Sequence, residues 1–284
     1  MLADVLEHLR CPHCRQPLRL DGRTVRCRSG HAFDVARQGY VSLLTGDAGA
    51  GTGDSAAMVA AREAFLPHYE GLRAQVVQAA VAAAPPDDGC VVDVGAGTGW
   101  YLSAVLDALP GRVGVALDLS KPALRRAARA HPRVGAVACD VWRPLPLASA
   151  TAALALSVFA PRNGPELRRV LQPGGALVVA APTAEHLAEL VDALDLVRVD
   201  ARKRERLETA LGPRLPLRAE VRWRQVLRLD HGAVAALVAM GPSAHHLDPE
   251  TLRARIAALP EPVEVTASVV VSTHRLEPSS TGVG

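Results

Sequence analysis

The stretch 91–100, VVDVGAGTGW, constrains the fold of this chain more than any other. Val91-Val92 reads as the end of a buried strand, and Gly95, Gly97 and Gly99 permit a tight turn with close backbone approach. A helix beginning near Tyr101 then points its N-terminal amides at a ligand held in the turn. Downstream, strand-like runs at 91–94, 112–117, 134–139, 151–159 and 176–181 alternate with helical runs at 102–109, 122–130 and 165–171. Apolar strands interleaved with helices predict a parallel sheet covered on both faces. A helical stretch near 184–211 and two further strands at 218–230 and 263–273 complete the pattern. The expected fold is α/β, a seven-stranded sheet covered by helices. Residues 57–84 carry helical spacing and stop at Pro85-Pro86.

Around the turn, chemistry-bearing residues fall at strand ends. Asp93 precedes the glycines, where a carboxylate can pair with a cationic amino-acid group. Asp118, ending the second strand, suits a ribose-hydroxyl acceptor. Asp140-Val141, ending the third, can flank an adenine. Two rival readings fail on residues. A dinucleotide turn G-x-G-x-x-G starting at Gly95 needs glycine where Trp100 stands, and no G-x-x-x-x-G-K-[ST] phosphate loop is present. The pattern D-V-G-A-G-T-G, with Asp118 and the 171–175 turn (LQPGG), resembles the Rossmann-like class of S-adenosylmethionine-dependent methyltransferases.

The N-terminal 45 residues differ in kind. Cys11-Pro-His-Cys14 is followed by Cys27 and His31, spacings that let four side chains converge on one tetrahedral zinc. His13 is a rival ligand but would leave Cys27 without a partner, and a redox C-x-x-C normally opens a helix in a βαβ context missing here. Four protein ligands close the shell, so the metal is expected to be structural and to supply folding free energy to a small segment. Cys90 and Cys139 fall beside or within core strands and read as inert buried thiols.

Composition adds limits. Of the 284 residues 49% are apolar and 21% charged, as expected for a water-soluble globular chain. No run of 18 apolar residues suggests a membrane span, and the start MLADVLEHLRCPHC lacks the pattern of a secretory signal, so a cytoplasmic protein is expected. Lys121 and Lys203 are the only lysines. Residues 1–45 hold seven arginines (10, 15, 19, 23, 26, 28, 37) against four acids, which accounts for the net charge of +3. A basic appendage on a balanced domain suggests where a polyanion docks. The expected organisation is a basic zinc-binding domain (1–45), a linker and helix (46–86), the methyltransferase domain (87–276) and a frayed tail (277–284).

A zinc knuckle ahead of such a domain narrows the field. With CPHC, CRSGHAFDVARQGYVSLL, GDSAAMVAAREAFLPHY, DVGAGTGWY, LDLSKPAL, PRNGPELRRVLQPGG and PTAEHLAEL, the chain resembles the 23S ribosomal RNA guanine-N1 methyltransferases. That family includes housekeeping enzymes and macrolide (tylosin-type) resistance determinants. The resemblance implies zinc on Cys11, Cys14, Cys27 and His31, a knuckle that helps grip a 23S rRNA hairpin, and cofactor contacts from Tyr69, Gly97, Thr98 and His186. It also implies a homodimer whose zinc domains form an RNA cleft. Where housekeeping relatives have a charged, Lys-containing loop before GDS, this chain has a bare Gly/Ala linker, which puts RNA contact there in doubt.

Guanine N1 carries a proton at neutral pH, so transfer needs a base or stabilised charge on O6. At the end of the fourth strand stands Phe159-Ala160-Pro161-Arg162, unlike the Asn/Asp-Pro-Pro-Tyr/Phe of exocyclic-amine methyltransferases. Arg162 can support charge on O6 or hold a phosphate. A hairpin base must be splayed from its stack, and Trp100, Tyr101, Trp142 and Phe159 are the aromatics near strand ends that can receive it. A small-molecule (quinone or antibiotic) methyltransferase and a non-catalytic zinc RNA-binding protein are the competing readings.

Overall fold

The computed structural model describes residues 2–46, 53–86, 88–196, 211–241 and 248–277. After a 3-10 turn (Leu2–His8), the strands β1 (Arg19–Asp21), β2 (Thr24–Arg26) and β3 (Ala32–Asp34) form a small antiparallel ribbon. Then follow β4 (Val41–Ser42), helices α1 (Ala56–Phe65) and α2 (Glu70–Ala83), β5 (Cys90–Val94) and α3 (Trp100–Ala108). The chain continues through β6 (Gly114–Asp118), α4 (Lys121–Ala130), β7 (Val134–Ala138), β8 (Ala152–Val158), α5 (Gly164–Val170) and β9 (Leu171–Pro182). Helix α6 (Ala188–Leu194), β10 (Leu217–Leu229), α7 (His231–Ala239), α8 (Pro249–Ala257) and β11 (Val263–Arg275) complete it.

The main sheet has eight strands in the order β10-β11-β9-β8-β5-β6-β7-β4. Pairing is parallel from β9 through β4, and β11 runs antiparallel to both of its neighbours. Strands β5, β7 and β8 are buried at every residue, because helices cover both faces of a parallel sheet. All seven expected strands are present. The eighth, β4, comes from the N-terminal segment, where Val41 and Ser42 pair with Val137 and Ala138.

That pairing changes the reading of the first 45 residues. Val5 and Leu9 are fully buried in the same apolar layer as Val92, Val115 and Leu117. The Arg15 guanidinium donates to the carbonyl oxygens of Leu145 (2.7 Å) and Leu147 (2.9 Å). The segment is too small to build a core of its own, and it borrows the sheet's. Metal is therefore one of two sources of its order.

The stretch expected as one helix over 57–84 is two. Ser55 caps α1 by accepting from the Met58 N–H at 3.2 Å, and the helix gives way to a 3-10 turn, Leu66–Tyr69, before α2. Pro67 is the cause. It has no N–H to bond back along the helix, and its ring clashes with the carbonyl four residues earlier. The break buries Tyr69, which a continuous helix would have placed differently. In the 184–211 stretch, α6 ends at Asp195 in a left-handed conformation, and residues 197–210 lie outside the described residues, as do linker residues 47–52 and tail residues 278–284.

Strands β10 and β11 overrun the sheet. Val269 of β11 faces Pro182, the last residue of β9, yet the β10–β11 pairing continues to Leu229 and Val263. The excess carries α7 back over the carboxyl ends of the parallel strands, against α1. A cleft is closed in between. Among the described residues no helix is long and apolar enough to cross a membrane.

Candidate active site and metal centre

A cleft of about 740 Å³ opens at the carboxyl ends of β5, β6, β7 and β8. Tyr69, Asp93, Gly95, Gly97, Thr98, Asp118, Asp140, Val141 and His186 all line it. The turn after β5 is shaped by what presses on it. Gly95 has φ +75° and a Cβ there would lie 2.5 Å from that of Ala160, so the loop after β8 can close over the turn only if residue 95 is glycine. Gly99 (φ +78°) lets α4 approach, with Ala127 Cα 3.2 Å from where a Cβ would be. Helix α3 starts at Trp100 without a side-chain cap, so its first amides face the cleft uncapped.

Asp118 ties the turn to the second strand. One carboxylate oxygen accepts from the Gly97 N–H (2.8 Å) and the other from the Ser120 N–H (2.8 Å). Each oxygen keeps a second lone pair for a hydroxyl. Asp93 has no such help. It is 2% exposed, its Oδ1 has no hydrogen-bond partner among the described residues, and its pKa is pushed up to about 8, first by burial and then by the Asp118 carboxylate. An orphaned buried carboxyl beside a glycine turn fits a cationic group that arrives with a ligand. Asp140 Oδ1 accepts from the Trp142 N–H (2.9 Å), which folds the chain after β7 into the cleft wall.

On the opposite wall His186 Nδ1 accepts from the Ser268 N–H at 3.2 Å. A backbone amide can only donate, so the imidazole proton resides on Nε2, which donates to Tyr69 Oη at 3.3 Å. The Tyr69 hydroxyl proton is left to donate into the cleft. Burial raises the Tyr69 pKa well above its ordinary value and keeps that proton in place.

In the N-terminal segment Cys11, Cys14, Cys27 and His31 converge, with all four ligand atoms within 4.8 Å of one another. Cys14 and Cys27 Sγ are 3.6 Å apart, and His31 Nδ1 is 3.3 Å from Cys27 Sγ and 3.6 Å from Cys11 Sγ. Tetrahedral zinc with Zn–S bonds of about 2.3 Å sets ligand atoms roughly 3.5–3.8 Å apart, so the donor set fits that ion. Two turns build it. The Cys11 N–H donates to Gln16 O with Arg15 at φ +61°, and the Gly30 N–H donates to Cys27 O with Gly30 at φ +88°. The N–H of Gln16 helps lower the Cys14 thiol to about 6, which favours the thiolate a metal needs. His13 is not in the cluster and packs its ring against His31, 4.9 Å between centroids.

Comparison with known proteins agrees with both halves. Residues 9–46 match the family model described as RlmA, N-terminal, and residues 91–175 match a methyltransferase domain. A 23S rRNA (guanine(748)-N(1))-methyltransferase of Streptomyces fradiae is 51% identical over 280 residues, covering 97% of this chain and 99% of the relative. The chain belongs to the 23S rRNA (guanine-N1)-methyltransferase family. A Micromonospora griseorubida protein carrying the family name provisionally is 54% identical, again over 97% of this chain and 99% of its own length. The YcgJ protein of Bacillus subtilis superposes with a TM-score of 0.52 at 15% identity, over 72% of this chain and all of that one, which shows the shared Rossmann-like fold. As a family methyltransferase domain, residues 91–175 use S-adenosylmethionine as methyl donor, and the Cys3His cluster accounts for one structural zinc.

Several cleft residues are not singled out from the sequence, although Asp54 and Arg62 lie in the GDS motif. Asp54 and Arg62 are an ion pair on the cleft wall, with Asp54 O accepting from Ser120 Oγ (2.7 Å) and Arg62 packed beside Gly97. They explain the GDS segment as a strap laid over the loop after β6. Leu237 of α7 and Met240, the residue that caps it, reach the cleft. Arg162, in contrast, is not among the cleft-lining residues; its Nε and Nη2 are buried without a hydrogen-bond partner among the described residues. Cys90 and Cys139 are buried, and burial pushes the Cys90 thiol up to about 12.

Proposed function

We propose that this chain transfers a methyl group from S-adenosylmethionine to N1 of a guanine in a 23S rRNA hairpin. The observation that carries the reading is the attachment of the basic zinc ribbon to the edge of the catalytic sheet. Strand β4 pairs with β7, and β7 runs into the Asp140–Trp142 wall of the cleft. A surface that grips RNA and a cleft that holds a methyl donor thus share one sheet. Relatives named for guanine-N1 methylation of 23S rRNA support the acceptor.

Bound S-adenosylmethionine would supply an electrophilic methyl: the sulfur–carbon bond would break as the N1–carbon bond forms, the neutral thioether would leave, and the N1 proton would pass to solvent water. Asp93 pairs with the cationic amino-acid end, Asp118 accepts from the ribose hydroxyls, and Asp140 with Val141 flanks the adenine. Gly95, Gly97 and Thr98 present the turn, while Tyr69 donates its hydroxyl proton to the cofactor under the control of His186. Positioning of two reactants for in-line displacement is the main work of these residues. Arg162, whose buried Nε and Nη2 have no hydrogen-bond partner among the described residues, supports negative charge on O6 or holds a backbone phosphate. Two chains pair so that their zinc ribbons form the RNA cleft, the protein acts in the cytoplasm, and methylation confers macrolide (tylosin-type) resistance.

The test is incubation with labelled S-adenosylmethionine and 23S rRNA from a strain lacking this gene, then nucleoside analysis and primer extension. Label in N1-methylguanosine at one position is expected. Label only on a small molecule, or RNA binding without transfer, would replace this reading with one of its rivals. Tylosin susceptibility of the same strain, with and without the gene, tests the resistance role.

A further inference from the structure

Nine aromatic residues occur in the chain, and two of them, Trp142 and Phe159, stand among its exposed large apolar side chains. Both line the same cleft, on the walls that follow β7 and β8. Trp142 is 65% exposed, yet its backbone is fastened on both sides: its N–H donates to Asp140 Oδ1 (2.9 Å) and its carbonyl accepts from Asn163 Nδ2 (3.1 Å). Phe159 is 39% exposed and has φ +54°, a backbone conformation unfavourable for any residue with a Cβ. Its N–H donates to Ala180 O (3.0 Å), and its ring stacks on His186 at 5.9 Å and 28° and lies 6.1 Å from Tyr69. Ala160, the next residue, presses against Gly95 of the cofactor turn.

The other two aromatics at these strand ends are occupied. Trp100 lies under the Arg73 guanidinium, 4.5 Å from ring centroid to Cζ, and Tyr101 is 8% exposed in the core. Two exposed aromatic faces held on the walls of one cleft form a surface on which a flat ring can stack.

We propose that Phe159 is the platform on which the extruded target guanine stacks, with Trp142 flanking it at the cleft mouth. His186 backs the Phe159 ring on one side, and the base takes the uncovered side. This rests on the acceptor being a guanine in RNA. It assigns base extrusion to the two aromatics and RNA affinity to the phosphate contacts of the basic ribbon.

Four variants test it: Phe159→Ala, Phe159→Leu, Phe159→Trp and Trp142→Ala. Cofactor affinity is measured by calorimetry, 23S rRNA affinity by filter binding, and transfer by single turnover at saturating RNA. For Phe159→Ala and Phe159→Leu the single-turnover rate should fall about 10- to 100-fold, the range typical of removing one base–aromatic stack, with both affinities within about threefold. Phe159→Trp should restore the rate to within about fivefold of the parent. Trp142→Ala, at an exposed position that does not threaten folding, should fall by a smaller factor. The proposal is overturned if Leu serves as well as Trp, if cofactor affinity falls in step with rate, or if neither Phe159→Ala nor Trp142→Ala slows transfer. Failure of the parent protein to methylate 23S rRNA would instead remove the acceptor assignment itself.

Discussion

Tyr69 and His186, 117 residues apart in the chain, meet at 3.3 Å between Oη and Nε2 inside the cofactor cleft. The Ser268 amide on Nδ1 decides which way that bond runs, because it forces the imidazole proton onto Nε2. Tyr69→Phe would therefore remove both the acceptor for His186 and the donor offered to the cofactor. We expect cofactor affinity to fall about 5- to 20-fold and unfolding free energy to fall by about 1–2 kcal/mol, from one buried N–H left unpaired. Calorimetry and urea titration check the two halves separately, and unchanged affinity would remove Tyr69 from the cofactor's contacts.

Asp93 should make cofactor binding pH-dependent. With its pKa at about 8 in the cofactor-free protein, the carboxyl is mostly protonated at pH 7. Pairing with a cationic group favours the carboxylate, so binding at pH 7 should expel close to one proton, and affinity should rise as pH climbs from 6 to 8. Calorimetry in buffers of different ionisation heat reads that proton directly. The same shift bears on stability. The folded state binds the extra proton between the ordinary carboxylate range and about pH 8, so the cofactor-free protein loses stability as pH rises through that window. Asp93→Asn should flatten this slope while weakening cofactor binding.

Removing the metal should separate the two halves of the molecule. Cys14→Ser, or chelation, is expected to take the zinc content from one per chain to none and to lower 23S rRNA affinity at least tenfold. Cofactor affinity should stay within about threefold, because Val5 and Leu9 remain seated in the sheet's core without the ion. Metal analysis with the two binding measurements decides it.

The arginines of the ribbon are not equivalent. Arg15, Arg19, Arg28 and Arg37 are all exposed, but the Arg15 guanidinium is spent on the carbonyls of Leu145 and Leu147. Replacing Arg28 or Arg37 by Ala should reduce the slope of log affinity against log salt by about 0.7–0.9 for each phosphate no longer neutralised. Arg15→Ala should leave the slope alone and instead lower the melting temperature, as the ribbon loses its clamp. Filter binding at several salt concentrations distinguishes the two effects.

Much of this was legible without coordinates, and the reason differs from residue to residue. The glycine turn and both halves of the zinc site are local. Gly95 to Gly99, and Cys11 to Cys14, bring their groups together within one turn of chain, so spacing alone announces the geometry. The five parallel strands of the domain's centre also show themselves, because burial on both faces demands unbroken apolar runs. The single helix expected over 57–84 failed at Pro67, a breaker outweighed by the apolar spacing around it.

What the sequence by itself determined is therefore the glycine turn, the spacing of the Cys and His pairs and the succession of strands and helices along the chain, since each depends on neighbours a few residues away. Only the tertiary structure decided that Val41 and Ser42 join the catalytic sheet, that Arg15 is a clamp, and that Phe159 and Trp142 are the strand-end aromatics with exposed rings. Those outcomes turn on which distant surfaces meet, and burial or exposure of a side chain is a property of that meeting rather than of its sequence neighbours.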